Sequence, residues 1–158
     1  MSRELFLVVK VIKFEEGLRL KPYYDHLGFP TIGYGELIGK KGDPLPDITW
    51  TEQQANEALD KKLKQAYKEL PASKVTKAAW ASLEGDTDRL AIFISLWYQL
   101  GLSRLEGFKS ALEAIATKDW NKASEEMLNS LAARQTPKRW KRQSKAMLTG
   151  DVLGTYNL

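Results

Sequence analysis

The chain has 158 residues, enough for one domain or two small lobes on a shared core, and can bury roughly two-thirds of its unfolded surface. It has no cysteine and one histidine, His26, which excludes disulfides and thiolate chemistry and leaves almost no material for a zinc site or a Ser-His-Asp triad. Any acid–base chemistry must therefore rest on carboxylates. A net charge of +4 favours an anionic partner: nucleic acid, a membrane surface or an acidic polymer such as bacterial cell wall.

Along the chain, Leu5, Val8, Val9 and Ile12 recur at helical spacing, with Gly17 set to take the left-handed position at the helix end. Lys10 and Lys13 interrupt the first apolar run, and no segment approaches the roughly 18 apolar residues of a membrane span. Nor is there the basic-apolar-small order of a secretory signal, so the chain reads as a cytoplasmic product without an export signal. Aromatic and β-branched residues flank His26-Leu27-Gly28, which predicts a small antiparallel hairpin weakened by Pro22 and Pro30. An exposed loop follows over Gly39 to Asp47.

Thr51 and Gln54 form a capping box for a long helix that reaches a stop at Pro71. Further helices are predicted over 74–83, 87–100 (ended by Gly101), 107–116, 120–131 and 137–148 (ended by Gly150). The segment Ala91 to Tyr98 is apolar or small nearly all round, as a central buried helix requires. The expected class is α+β, mostly helical. The expected organisation is a small lobe over about 14–60, a large helical lobe of 1–13 with 72–158, and a connecting helix over 51–70.

The stretch Glu16 to Glu36 carries the chemistry. It places Glu16, Asp25 and Thr31 among Tyr23, Tyr24, Phe29 and Tyr34. A carboxylate at a helix C-terminus feels the partial negative charge there, which favours its protonated form and suits a general acid. An acid beside a polar turn stays ionised, and two such carboxylates are the arrangement that cleaves glycosidic bonds. Thr31 adds a small donor and acceptor able to orient a water, and Gly33 and Gly35 would let a sugar chain approach the backbone. On residue chemistry alone, acids scattered over a solvated hairpin are the competing reading. His26 reads as an exposed turn residue.

The spacing of Glu16, Asp25 and Thr31, within EGLRLK, Tyr23, Gly28 and the run TIGYG, resembles the phage-type lysozymes, most closely those of T-even bacteriophages. Collinear landmarks extend the likeness over nearly the whole chain: Trp97-Tyr98-Gln99-Leu100-Gly101, Gly107-Phe108, Asp119-Trp120, Gln135-Thr136-Pro137 with Arg139, Thr149-Gly150 and Tyr156-Asn157-Leu158. Region 39–50 is least alike. The resemblance implies a lysozyme-like two-lobe fold and hydrolysis of the β-1,4 bond between N-acetylmuramic acid and N-acetylglucosamine, with inversion. Glu16 would be the acid, and Asp25 with Thr31 would direct water, with the carboxyl groups about 6.5–9.5 Å apart. It implies Leu37 and Tyr98 as sugar contacts, Arg139 as a cation supporting Glu16, and no metal or organic cofactor.

Departures from the family pattern are Ala111 in place of a hydroxyl, Glu126 in place of an amide, and Glu36 in place of a histidine. Glu36 is expected to pair with Lys62 as a charge-swapped tie, solvation of Glu36 being the bland alternative. The cations around Trp140 read as a nucleic-acid patch or as a solvated helix face, with anionic cell wall explaining a binding role equally well, and the five tryptophans as core and lobe-interface residues rather than sugar platforms.

The leading expectation is a monomeric muramidase acting as an endolysin on the peptidoglycan glycan strand, without specific nucleic acid and without stable membrane insertion. It would wait in the host cytoplasm until a holin-type lesion opens the way to the wall. The absence of an appended domain favours such a lysis enzyme over a piece of a tail machine. The alternative is a non-catalytic wall-binding module of the same fold.

Overall fold

The computed structural model describes residues 3–158. These fall into two compact units: Ile12–Gln65, and a second made of residues 3–11 with Ala66–Leu158. The fold is α+β, with a small sheet near the start of the chain and helices through the rest.

Helix α1 (Arg3–Glu16) stops where the sequence predicts: Gly17 adopts φ 68° and its N–H donates to the Lys13 carbonyl at 3.1 Å. Its buried stripe runs through Leu7, Val8, Val11 and Ile12, so Leu5 and Val9 sit at the margins rather than the centre. Three strands follow, β1 (Arg19–Tyr24), β2 (Pro30–Gly33) and β3 (Glu36–Leu37), in an antiparallel sheet of order β1-β2-β3. The hairpin thus gains a short third strand. The β1–β2 register is irregular between Arg19 and Tyr23, the interval that holds Pro22, which has no N–H to donate. Pro30 is tolerated as the first residue of its strand.

Gly33 marks the tightest packing in this unit. It has φ 70°, and a Cβ built there would lie 2.9 Å from Trp50 Cζ3. Only glycine satisfies both demands. Gly33 is also buried, so it serves the Trp50 ring rather than a passing sugar. Loop 39–47 is exposed as expected, but the stretch through Trp50 is tied down: Gly42 N–H donates to the Gly28 carbonyl at 3.0 Å, the Tyr24 hydroxyl to the Asp43 carbonyl at 2.7 Å, and Trp50 N–H to the Leu20 carbonyl at 2.8 Å.

Helix α2 (Glu52–Ala72) opens with the predicted reciprocal cap. Gln54 N–H donates to Thr51 Oγ1 at 3.1 Å, and Thr51 N–H to Gln54 Oε1 at 2.8 Å. Pro71 lies inside the final turn and the helix ends one residue later.

The remaining helices are α3 (Lys77–Ser82), α4 (Thr87–Glu106), α5 (Lys109–Ala116), α6 (Trp120–Leu128), α7 (Leu131–Gln135), α8 (Pro137–Thr149) and α9 (Val152–Tyr156). Gly101, at φ 76°, breaks α4 into two helical runs, so the predicted end at that residue is a kink with helix beyond it. The stretch predicted as one helix over 120–131 divides because Ser130 starts a new one, accepting from Ala133 N–H at 3.1 Å and donating to the Met127 carbonyl at 2.8 Å. Helix α9, not anticipated, is nucleated by Asp151, whose carboxylate accepts from Gly154 N–H at 3.0 Å.

Leu90 to Tyr98 on α4 are buried without a break, which places this helix at the centre of its unit. Arg89 fastens α8 to it: Nε donates to the Met147 carbonyl at 2.6 Å and Nη2 to the Leu148 carbonyl at 3.0 Å, meeting the negative end of α8 with a cation. The tryptophans have structural partners. Trp80 meets Tyr67 edge-on, Trp97 Nε1 donates to Glu69 at 3.0 Å, Trp120 lies under Arg89, and Trp140 stacks on Phe108 with centroids 5.6 Å apart.

Candidate active site

Glu16 is the last residue of α1, Asp25 follows β1, and Thr31 is the second residue of β2. All three belong to the Ile12–Gln65 unit. The Asp25 side chain organises the turn: Oδ1 accepts from Leu27 N–H at 2.9 Å and from Phe29 N–H at 2.8 Å. Two amide donors on one oxygen fix the carboxylate's orientation and leave Oδ2 outside the turn. Such an Asx arrangement is how a short acid closes a tight reversal.

Phe29 links this acid to the hydroxyl. Its carbonyl accepts from Asp25 N–H at 3.0 Å and from Thr31 Oγ1–H at 2.8 Å, while its own N–H serves Asp25 Oδ1. The backbone of one residue, through the two peptide groups that flank its Cα, therefore positions both side chains. Thr31 is also buried, and because its hydroxyl hydrogen is committed to the Phe29 carbonyl, its oxygen is left to accept. The sequence expectation of a group that both donates to and accepts from water narrows to an acceptor. The Phe29 backbone is the part of this arrangement that sequence reasoning missed, because a carbonyl carries no residue-type signal.

Tyr23, directly opposite Thr31 in the sheet, reports on the neighbourhood. Its phenol is held above its usual pKa by burial, then by the charge of Glu16 and, more weakly, of Asp25, against a lowering by Arg19. Both carboxylates therefore lie within electrostatic reach of one ring. Arg19 covers that ring with its guanidinium carbon 4.3 Å from the centroid. Leu37 also pairs with Thr31, from β3, and its side chain is largely exposed, at 57%. His26 sits exposed in the turn. Among the described residues, no group of three His, Cys, Asp or Glu side chains is placed to hold a metal.

Tyr98 and Arg139 belong to the other unit, on α4 and α8. Tyr98 is buried. Arg139 is only 8% exposed and sits in a closed triangle: Nε donates to Gln143 Oε1 at 3.2 Å, Nη2 to Ser95 Oγ at 3.2 Å, and Ser95 Oγ to Gln143 Oε1 at 2.7 Å. A further donation from Nη2 reaches the Ser95 carbonyl at 3.3 Å. Ser95 and Gln143, absent from the sequence expectations, thus hold one edge of a buried guanidinium. Ala111 and Glu126 line a groove of about 250 Å³ with Phe108, Lys109, Ser110 and Asn129.

The Phage lysozyme family model matches residues 13–150. The chain belongs to the phage lysozyme family. Its members are glycoside hydrolases of the lysozyme type, and this chain is accordingly a peptidoglycan-hydrolysing enzyme. Probable T4-type lysozyme 1 of Dictyostelium discoideum is 28% identical over 90% of this chain and 94% of its own length. Probable T4-type lysozyme 2 of the same organism is 29% identical over 90% and 94%. The pre-baseplate central spike protein Gp5 of Enterobacteria phage T4 is 28% identical over 92% of this chain, which spans 28% of that protein.

Proposed function

We propose that this lysozyme is an endolysin that hydrolyses the β-1,4 bond between N-acetylmuramic acid and N-acetylglucosamine with inversion at the anomeric carbon. The observation that carries the reading is the Phe29 backbone, whose N–H and carbonyl hold the Asp25 and Thr31 side chains beside a tyrosine that feels both Asp25 and Glu16. Glu16 donates a proton to the leaving glycosidic oxygen. The attacking water gives one hydrogen to Asp25 Oδ2 and aims the other at Thr31 Oγ1, which accepts because its own hydrogen is engaged. Leu37 offers an exposed apolar surface to a sugar face.

The protein accumulates in the host cytoplasm and reaches the wall through a holin-type membrane lesion; among the described residues, no helix is long and apolar enough to cross a bilayer. Clearing of a peptidoglycan suspension by wild type and not by Glu16→Gln separates this reading from a wall-binding module without catalysis. Inversion is tested by NMR of the first product formed. An α-anomeric reducing end supports it, and a β-anomeric one refutes it.

A further inference from the structure

Helix α8 divides its residues by chemistry. Arg139, Trp140, Gln143, Ser144, Ala146 and Met147 are buried. Lys138, Lys141 and Lys145 are exposed and fall within an arc of about 60°, at 100° per residue. Arg134, at the end of α7, is exposed one turn before them. Helix α8 contains no acidic residue, and among the described residues none of these four cations makes a salt bridge. The three lysines span about 10 Å along the helix.

This cationic face has a specific set of absences. Trp140, the aromatic residue within the run, is fully buried and stacked on Phe108, so no ring is offered to a nucleic-acid base. No apolar side chain lies between the lysines to enter a bilayer, Leu148 being exposed only beyond them. Three of the four cations are lysines, which act as mobile point charges rather than planar forks for a fixed phosphate. What fits is a flexible polymer carrying separated carboxylates.

We propose that the outer face of α8, with Arg134, is a second wall-holding surface that engages the carboxylate-bearing peptide stems of the peptidoglycan strand. It acts as a tether that keeps the enzyme on its insoluble substrate, and it rests on the peptidoglycan reading above. The test is co-sedimentation of the full chain with purified sacculi across a salt series, using Glu16→Gln as background so that the sacculi stay intact. The triple variant Lys138→Gln, Lys141→Gln, Lys145→Gln is expected to lose retention roughly 10- to 100-fold at low salt. Its log–log salt slope should fall by about 2 to 3. The corresponding Lys→Arg triple should keep both, and amidating the stem carboxylates of the sacculi should reproduce the loss with unaltered protein.

In a background with Glu16 intact, the Gln triple should cut, at the parental rate, a short soluble peptidoglycan glycan whose carboxyl groups are amidated. Retention that ignores both the triple and the amidation overturns the proposal. So does a triple that loses duplex DNA or anionic vesicles while sacculi are held as before. If the glycan is not cut at all, the catalytic reading fails, and the retention data still decide the tether.

Discussion

The turn around Asp25 and the triangle around Arg139 solve the same problem, holding an ionisable group still, by opposite means. At the turn, backbone does the holding: Leu27 and Phe29 amides grip Asp25, and the Phe29 carbonyl grips Thr31. In the triangle, side chains do most of it, with Ser95 and Gln143 reaching Arg139 across 44 and 4 residues of sequence and the Ser95 carbonyl adding a backbone acceptor. A backbone frame survives substitution of the residues that supply it. A side-chain frame in a buried core fails when one member is lost, because the others keep their charge or polarity without a partner.

The largest expected effects are catalytic. Glu16→Gln should reduce lytic rate by about 10²- to 10⁴-fold with the fold retained, as loss of a positioned general acid does. Asp25→Asn should fall in the same range, yet its amide oxygen still accepts from Leu27 and Phe29, so the unfolding free energy from urea should change by less than about 0.5 kcal/mol. A large unfolding effect in Asp25→Asn would show that the charge, not the backbone frame, holds the turn.

The triangle should respond the other way. Gln143→Leu leaves Ser95 and Arg139 without their shared acceptor and should cost about 3 kcal/mol in urea unfolding. Gly33→Ala should rank below it, at about 1–3 kcal/mol, from a left-handed φ and a Trp50 ring in the way. Equal stability of Gln143→Leu and wild type would remove the distinction between the two frames.

These contrasts track what was legible in the sequence. The end of α1 at Gly17 and the Thr51–Gln54 box are written within four residues, so local patterning finds them. The three-residue spacing of Glu16, Asp25 and Thr31 was readable as a motif. How the acid and the hydroxyl are coupled was not, since the Phe29 backbone looks like any other. The partners of Gly33 and Arg139 were equally hidden, for Trp50 lies 17 positions from Gly33 and Ser95 lies 44 from Arg139. Short helices such as α9 escaped because one cap and five residues make little periodicity.

Two smaller effects sharpen the comparison. Tyr67 is pushed up to about 12 by burial, then by the charge and hydrogen bond of Glu4. Its unfolded value is near 10, so its contribution is fully present below pH 10 and is lost as pH rises from there through about 12, where the unfolded state ionises first. Tyr67→Phe should flatten that alkaline limb in chemical unfolding, with the phenolate absorbance of the remaining tyrosines as the check. The proposed Glu36–Lys62 tie within the Ile12–Gln65 unit should give a coupling of only about 0–1 kcal/mol in a double-mutant cycle. Zero coupling would leave the tie without support.

The central claim is the bond that this chain cuts. Purified peptidoglycan digested to completion, reduced with borohydride and resolved by mass spectrometry, decides it. Wild type should release fragments that end in reduced N-acetylmuramic acid, and Glu16→Gln should release none in the same time. Fragments that end in reduced N-acetylglucosamine, or glycan strands left whole with cleaved peptide stems, would contradict it.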